Sequence, residues 1–174
     1  MATMLQNNTR KITLMALLIA IGTFTSHLIW FPAGFAKAYP MQHAINVIAG
    51  IFLGPGPAVL IAFMIGLLRN ILGIGTLLAF PGGMAGALLA GIGFKMARQR
   101  PYGAFIGEVF GTSIIGALLS VPIARLILGH EAVIYFYIPP FAISAIVGAF
   151  IGVGLSVVLE RVRGDRSISM TDHL

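Results

Sequence analysis

The chain has 174 residues, of which 58% are hydrophobic and 9% are charged. A soluble domain carries about 25% charged residues and covers its surface with polar groups, so a mean hydropathy of +0.98 excludes that class. The chain has no cysteine, which excludes disulfide scaffolds, thiolate metal sites and cysteine nucleophiles. The net charge is +6, but the sequence offers no polar face on which the basic residues could form a nucleic-acid-binding stripe. The composition therefore predicts an integral membrane protein.

Six apolar runs follow one another along the chain, separated by segments rich in glycine and proline. A helix needs roughly 20 mostly apolar residues to cross the ~30 Å hydrocarbon core, and the second run is short for this. The segment between Pro32 and Pro40 is predicted to be a loop, because prolines bracket it. We predict an all-α integral membrane protein whose single membrane domain, residues 1–174, is a compact bundle of six transmembrane helices at residues 12–30, 41–53, 58–72, 77–97, 102–128 and 136–159.

The basic residues are distributed unevenly between the two sides of this bundle. Cytoplasmic loops of membrane proteins hold an excess of lysine and arginine. With the N-terminus inside, eight of the 11 basic residues fall on the inner side and three on the outer side. Both termini are therefore predicted to be cytoplasmic, with residues 160–174 as a cytoplasmic tail attracted to anionic membrane lipid.

Polar and aromatic residues collect near the outer ends of the first four predicted helices. Gln42 and Asn46 share one helix face through their i, i+4 spacing. Pro81-Gly82-Gly83 interrupts the fourth run and leaves backbone groups free to meet a solute. A pocket open to the outside is predicted there, with these candidate residues: Trp30, Gln42, His43, Asn46, Arg69, Asn70, Phe80 and Met84.

Glu108 is the only acidic residue well inside a predicted span, and Thr112 lies one turn further on the same face. A carboxylate in such a place is protonated, paired or reached by water. Arg69 is predicted to lie at a similar depth in the membrane. Two interpretations therefore remain: Arg69 and Glu108 form a structural pair, or one of them hydrogen-bonds a solute. His43 is expected to be a structural or solvated histidine, and no metal site is predicted.

Motifs for catalysis and for nucleotide binding are absent from the sequence. It has no Gly-x-Ser-x-Gly, no His-Glu-x-x-His and no Gly-x-x-x-x-Gly-Lys-Ser/Thr. We therefore predict no enzyme activity, no catalytic residues and no bound cofactor. Two alternatives to a solute-binding transport subunit remain at this point. One is a stand-alone proton-coupled permease with Glu108 as the protonatable group, and the other is an intramembrane enzyme with Glu108 and His43 as acid and base.

Several longer stretches are more distinctive than hydropathy. They are Ala36-Lys37-Ala38-Tyr39-Pro40-Met41-Gln42-His43-Ala44-Ile45-Asn46, Gly66-Leu67-Leu68-Arg69-Asn70, Gly75-Thr76-Leu77-Leu78-Ala79-Phe80-Pro81-Gly82, Gly107-Glu108-Val109-Phe110-Gly111-Thr112 and Tyr137-Ile138-Pro139-Pro140-Phe141. Through them the chain resembles, over roughly residues 10–160, the ThiW family of substrate-binding S components of energy-coupling-factor (ECF) vitamin transporters.

The resemblance implies partners and a location. An S component lies in the prokaryotic cytoplasmic membrane and works with a transmembrane coupling subunit and two ATPase subunits, which use the ATP. An alanine motif on its first helix contacts the coupling subunit, and Ala16 and Ala20 match that motif in spacing and position.

The resemblance also implies a cargo, the thiamine precursor hydroxyethylthiazole. A small aromatic alcohol needs stacking surfaces and a few hydrogen-bonding groups, and the loop after the first span is expected to act as a lid. The predicted substrate-binding residues are Trp30, Gln42, His43, Asn46, Arg69, Asn70, Phe80, Met84, Glu108, Thr112 and Tyr137.

Overall fold

A computed structural model describes residues 2–33, 36–129 and 134–171 of the chain. These ranges form six helices and one small two-stranded antiparallel sheet. The helices are α1 (Ala2–Leu28), α2 (Pro40–Phe52), α3 (Pro55–Ile71), α4 (Ala79–Met96), α5 (Pro101–Leu126) and α6 (Ile134–Thr171).

The helix boundaries follow the proline and glycine positions. Helices α2, α3 and α5 each have a proline in the first turn, where the missing N–H costs nothing and the fixed φ suits a helix. Gly54 separates α2 from α3 with a φ of 85°, a conformation that residues with a Cβ rarely adopt. The helices agree with the predicted runs to within a few residues, with two exceptions. Helix α1 begins at Ala2, ten residues before the predicted run, and α6 continues as far as Thr171 and so includes most of the predicted tail.

Within the described ranges, three helical segments are long and apolar enough to cross a membrane: Asn8–Leu28, Pro101–Leu126 and Tyr135–Val162. Pro55–Ile71 is a shorter apolar helix. Large apolar side chains such as Phe24, Leu126 and Phe150 are exposed on the outside of the bundle, as expected for a surface that faces lipid. The helical character is thus confirmed and three helices could span a membrane, while six crossings and the orientation of the termini stay predictions.

The segment after α1 contains two short strands, β1 (Phe31–Ala33) and β2 (Ala36–Ala38), so the prediction of a loop throughout was wrong. Phe31 pairs with Ala38 across the sheet. The Lys37 ammonium lies 4.0 Å from the centroid of the Trp30 ring. The backbone N–H of Tyr39 donates to Ser144 Oγ on α6 at 2.8 Å. These contacts attach the segment to the end of the bundle.

Helix α4 lies in the middle of the bundle, in contact with α2, α3 and α5. Glycines allow its backbone to approach that of α5 closely. A Cβ on Gly107 would collide with the carbonyl oxygen of Leu89, and one on Gly111 would lie 2.6 Å from the carbonyl oxygen of Ala85. This approach brings the polar residues of α5 against α4 and α2. Buried apolar side chains fill the remaining space between the helices, among them Leu18, Ile45, Ile61, Ile65 and Val47.

Candidate functional site

A cavity of about 580 Å³ opens at the end of the bundle where α1 and α3 end and α2, α4 and α6 begin. Its volume lies within the range of roughly 300–1,000 Å³ that is usual for small-molecule sites. The lining residues come from these helices, from the strand segment and from the turn between α3 and α4: His27, Trp30, Lys37, Tyr39, Gln42, His43, Arg69, Gly73, Ile74, Gly75, Thr76, Leu78, Ala79, Gly82, Gly83, Thr112, Tyr137, Pro140, Phe141 and Ser144.

Aromatic side chains supply much of the cavity wall. Tyr137 and Phe141 lie one turn apart on α6, with ring centroids separated by 6.0 Å and ring planes tilted by 47°. Trp30 and Tyr39 add two further rings to the lining. Such rings bind flat heterocycles through stacked or edge-to-face contacts.

Arg69, at the end of α3, is buried beside the cavity with 2% of its surface exposed. One terminal nitrogen donates to Gln42 Oε1 at 2.7 Å, and the other lies 3.4 Å from the carbonyl oxygen of Ile74. The guanidinium carbon lies 4.2 Å from the centroid of the Tyr39 ring. The predicted Arg69–Glu108 pair is therefore wrong, because Arg69 is directed toward α2 and the α3–α4 turn.

Glu108 is fully buried, and one of its oxygens is the centre of a polar cluster. This oxygen, Oε1, lies 2.7 Å from His43 Nδ1 and accepts a hydrogen bond from Asn46 Nδ2 at 3.0 Å. The Thr112 hydroxyl lies 3.1 Å from it. A Cβ on Gly86 would lie 2.6 Å from the same oxygen, so the glycine leaves the space that the cluster occupies. His43 is thus a partner of a buried carboxylate rather than a solvated side chain.

A π-helical segment, Gly111–Gly116, interrupts α5 directly after Glu108. Such wider turns are rare and occur frequently at functional sites. The Thr112 hydroxyl lies 3.1 Å from the carbonyl oxygen of Gly82 on α4, so it contacts both the cluster and the start of α4. Helix α5 therefore reaches the floor of the cavity through Thr112.

A model of the family described as thiamine-precursor transporter protein (ThiW) matches residues 12–162. The chain belongs to the ThiW family. No curated protein and no solved structure matches it. The resemblance drawn from the sequence motifs is confirmed, and the family places this ThiW chain among thiamine-precursor transporters.

Six of the eleven predicted substrate-binding residues of the ThiW chain line the cavity: Trp30, Gln42, His43, Arg69, Thr112 and Tyr137. Glu108 lies behind them as the partner of His43, and Asn46 donates to the same Glu108 oxygen. Asn46 and Glu108 do not line the cavity, so they could influence a bound substrate only through the lining residues His43 and Thr112. The i, i+4 pair Gln42 and Asn46 shares a face as predicted, because both side chains approach Gly83.

The other three predicted residues are outside the cavity lining. Asn70 donates to the carbonyl oxygens of Gly66 and Thr76 and so fastens the turn after α3. Phe80 is directed at α3, where its ring centroid lies 5.6 Å from that of Phe63. Met84 is half-buried further along α4. Asn70 and Phe80 are directed at neighbours other than the cavity, which the depth of a residue in its helix does not reveal.

The cavity also contains residues that the sequence-based set left out, chiefly Lys37, Tyr39, Phe141 and Ser144. Phe141 follows Tyr137 at i, i+4, so helical spacing was a usable signal. Lys37 and Tyr39 belong to the strand segment that was taken for a loop, and no sequence pattern indicated that this segment would contact α6.

Removal of the Glu108 carboxylate tests the cluster. We expect Glu108→Ala to lower the free energy of unfolding by about 3–5 kcal/mol, because His43 and Asn46 then lose a buried acceptor. Glu160→Ala, which removes an exposed carboxylate, should change it by no more than about 0.5 kcal/mol. The measurement is thermal unfolding of the purified chain in detergent. Equal effects of the two variants would contradict the cluster.

Proposed function

We propose that the chain is the substrate-binding S component of an ECF importer and captures hydroxyethylthiazole for delivery across the membrane with partner ATPases. The observation that carries the proposal is the cavity of about 580 Å³ with aromatic walls and a polar floor, in a chain of a thiamine-precursor transporter family. The same cavity lies at the end predicted to face the outside.

The chemistry of the cavity suits a small aromatic alcohol. The rings of Tyr137, Phe141 and Trp30 offer surfaces for the thiazole ring. Gln42, His43 and Thr112 add hydrogen-bonding groups to the lining for its hydroxyl group or ring nitrogen. An apolar pocket with a few convergent polar groups is the usual form of a small-molecule site.

Partner subunits supply the energy in this proposal. The sequence contains no nucleotide-binding motif, so ATP hydrolysis belongs to two ATPase subunits and reaches this chain through a transmembrane coupling subunit. Ala16 and Ala20 are exposed on α1, while Leu18 between them is buried. Small exposed side chains at four-residue spacing let a second helix approach closely in lipid, which supports this face as the docking site.

Ligand binding is tested by titrating the purified chain in detergent. Trp30 is the only tryptophan and lines the cavity, so its fluorescence should respond to a ligand bound there. We expect saturable binding of hydroxyethylthiazole, weakened about tenfold by Phe141→Ala through lost stacking. Phe150→Ala, which removes an equal ring from the exposed outer surface, should leave the affinity unchanged.

Calorimetry is the control for a ligand that binds without a fluorescence change. Absence of hydroxyethylthiazole binding by both methods would refute this cargo. Equal losses of affinity in the two phenylalanine variants would show that the ligand does not lie against the aromatic wall.

The S-component role has a separate test. We expect Ala16→Leu or Ala20→Leu to reduce co-purification with the coupling subunit by about tenfold or more, since a leucine prevents close helix contact. Binding of hydroxyethylthiazole should be unchanged. Gly154→Leu, at an exposed glycine of α6 with open space around it, is the matched control and should leave assembly intact. Undiminished assembly of the alanine variants would contradict this docking face.

A stand-alone proton-coupled permease is the second candidate, favoured by the buried His43–Glu108 pair, in which His43 lines the cavity and Glu108 lies behind it. Ionisable groups buried in a membrane domain often carry protons in transporters. Uptake of hydroxyethylthiazole into liposomes by the purified chain alone, driven by a pH gradient, would support this candidate and count against the S component.

A further inference from the structure

The cavity lining is unevenly charged. Arg69 and Lys37 contribute permanent positive charges to it, whereas the described lining residues include no carboxylate. Glu108 lies behind the lining, where His43 and Asn46 bind its Oε1 atom. In either protonation state of the His43–Glu108 pair, the summed formal charge of these groups remains positive.

The charge of Arg69 is not neutralised within the described part of the chain. Its terminal nitrogens are directed to uncharged oxygens of Gln42 and Ile74, and its Nε atom is buried without a hydrogen-bond partner. A charge buried away from water and from a counter-ion acts strongly on its neighbourhood, because little solvent screens it. Gln42, Tyr39 and the turn after α3 hold the guanidinium at the cavity.

We propose that the cavity selects its ligand by charge, with Arg69 as the specificity-determining residue. It accepts uncharged heterocycles that offer a hydrogen-bond acceptor, and it rejects heterocycles whose ring nitrogen is quaternised. The inference rests on the proposed function, in which this cavity is the binding site. It explains how a precursor transporter distinguishes a neutral thiazole from thiamine, whose thiazolium ring carries a permanent positive charge.

Lys37 differs from Arg69 in a way that supplies a control. Its side chain is exposed, with the ammonium over the Trp30 ring at the cavity mouth. Water and salt screen an exposed charge much more than a buried one. Removal of the Lys37 charge should therefore affect selectivity less than removal of the Arg69 charge.

The experiment compares matched ligands on the purified full chain at one pH and one salt concentration. The first pair is hydroxyethylthiazole and its N-methyl thiazolium. An uncharged analogue with the extra methyl on a ring carbon controls for size. The second pair is hydroxyethylpyridine and its N-methyl pyridinium, which presents the same difference in charge on another ring.

We expect each neutral ligand to bind at least about tenfold more tightly than its cation, from the repulsion between two charges a few ångströms apart in a poorly hydrated site. Arg69→Gln should reduce that ratio to less than about threefold. Arg69→Lys, which keeps the charge, should retain most of it, and Lys37→Gln should lower it less than Arg69→Gln does. The ring-C-methyl analogue should bind close to the parent compound.

Equal affinity of the neutral and cationic ligands on the unsubstituted chain would overturn the proposal without any variant. An unchanged ratio in a folded Arg69→Gln would overturn the role of Arg69. If thiazoles fail to bind but the neutral pyridine is preferred to the pyridinium, the thiazole cargo is refuted and charge selection stands. If the thiazolium binds more tightly than the thiazole, charge selection is refuted and a thiazole-binding subunit remains. No binding of any of these compounds would overturn both.

Discussion

The close approach of α4 and α5 determines where the polar groups of the bundle can lie. Without side chains on Gly107 and Gly111, the α5 backbone packs directly against backbone carbonyl groups of α4. Gly86 then leaves room for the Glu108 carboxylate between the helices. Because α2 contacts both α4 and α5, His43 reaches the same carboxylate. The polar cluster, and the cavity floor that rests on it, follow from this helix contact.

The cavity combines two requirements that oppose each other in a membrane protein. Polar groups must face a solute, yet each one left without a partner in an apolar interior is costly. Most of these polar groups form hydrogen bonds with one another, as the Arg69 guanidinium does with Gln42 Oε1. Among the described residues the positive charge of Arg69 has no counter-ion, and we expect a site that keeps such a charge to discriminate ligands by their own charge.

Hydropathy and proline positions were sufficient to predict the apolar parts of the helices, because insertion in lipid requires continuous apolar segments. They missed the polar start of α1 and the polar end of α6. Polar residues stand out within such apolar segments, so their concentration at the outer ends of the helices could also be predicted from the sequence. Partnerships were harder, since depth along a helix does not give rotation about its axis: Arg69 and Glu108 were placed at similar depth but face different neighbours. The π-helical turn at Thr112 and the strands before α2 have no pattern long enough to detect.

The most direct test of the central claim is an experimental structure of the chain with hydroxyethylthiazole bound. We expect the thiazole ring to lie between the α6 aromatic residues Tyr137 and Phe141 and the guanidinium of Arg69, with its polar atoms directed toward Gln42, His43 or Thr112. A ligand bound elsewhere on the bundle, with this cavity empty, would show that the cavity is not the binding site.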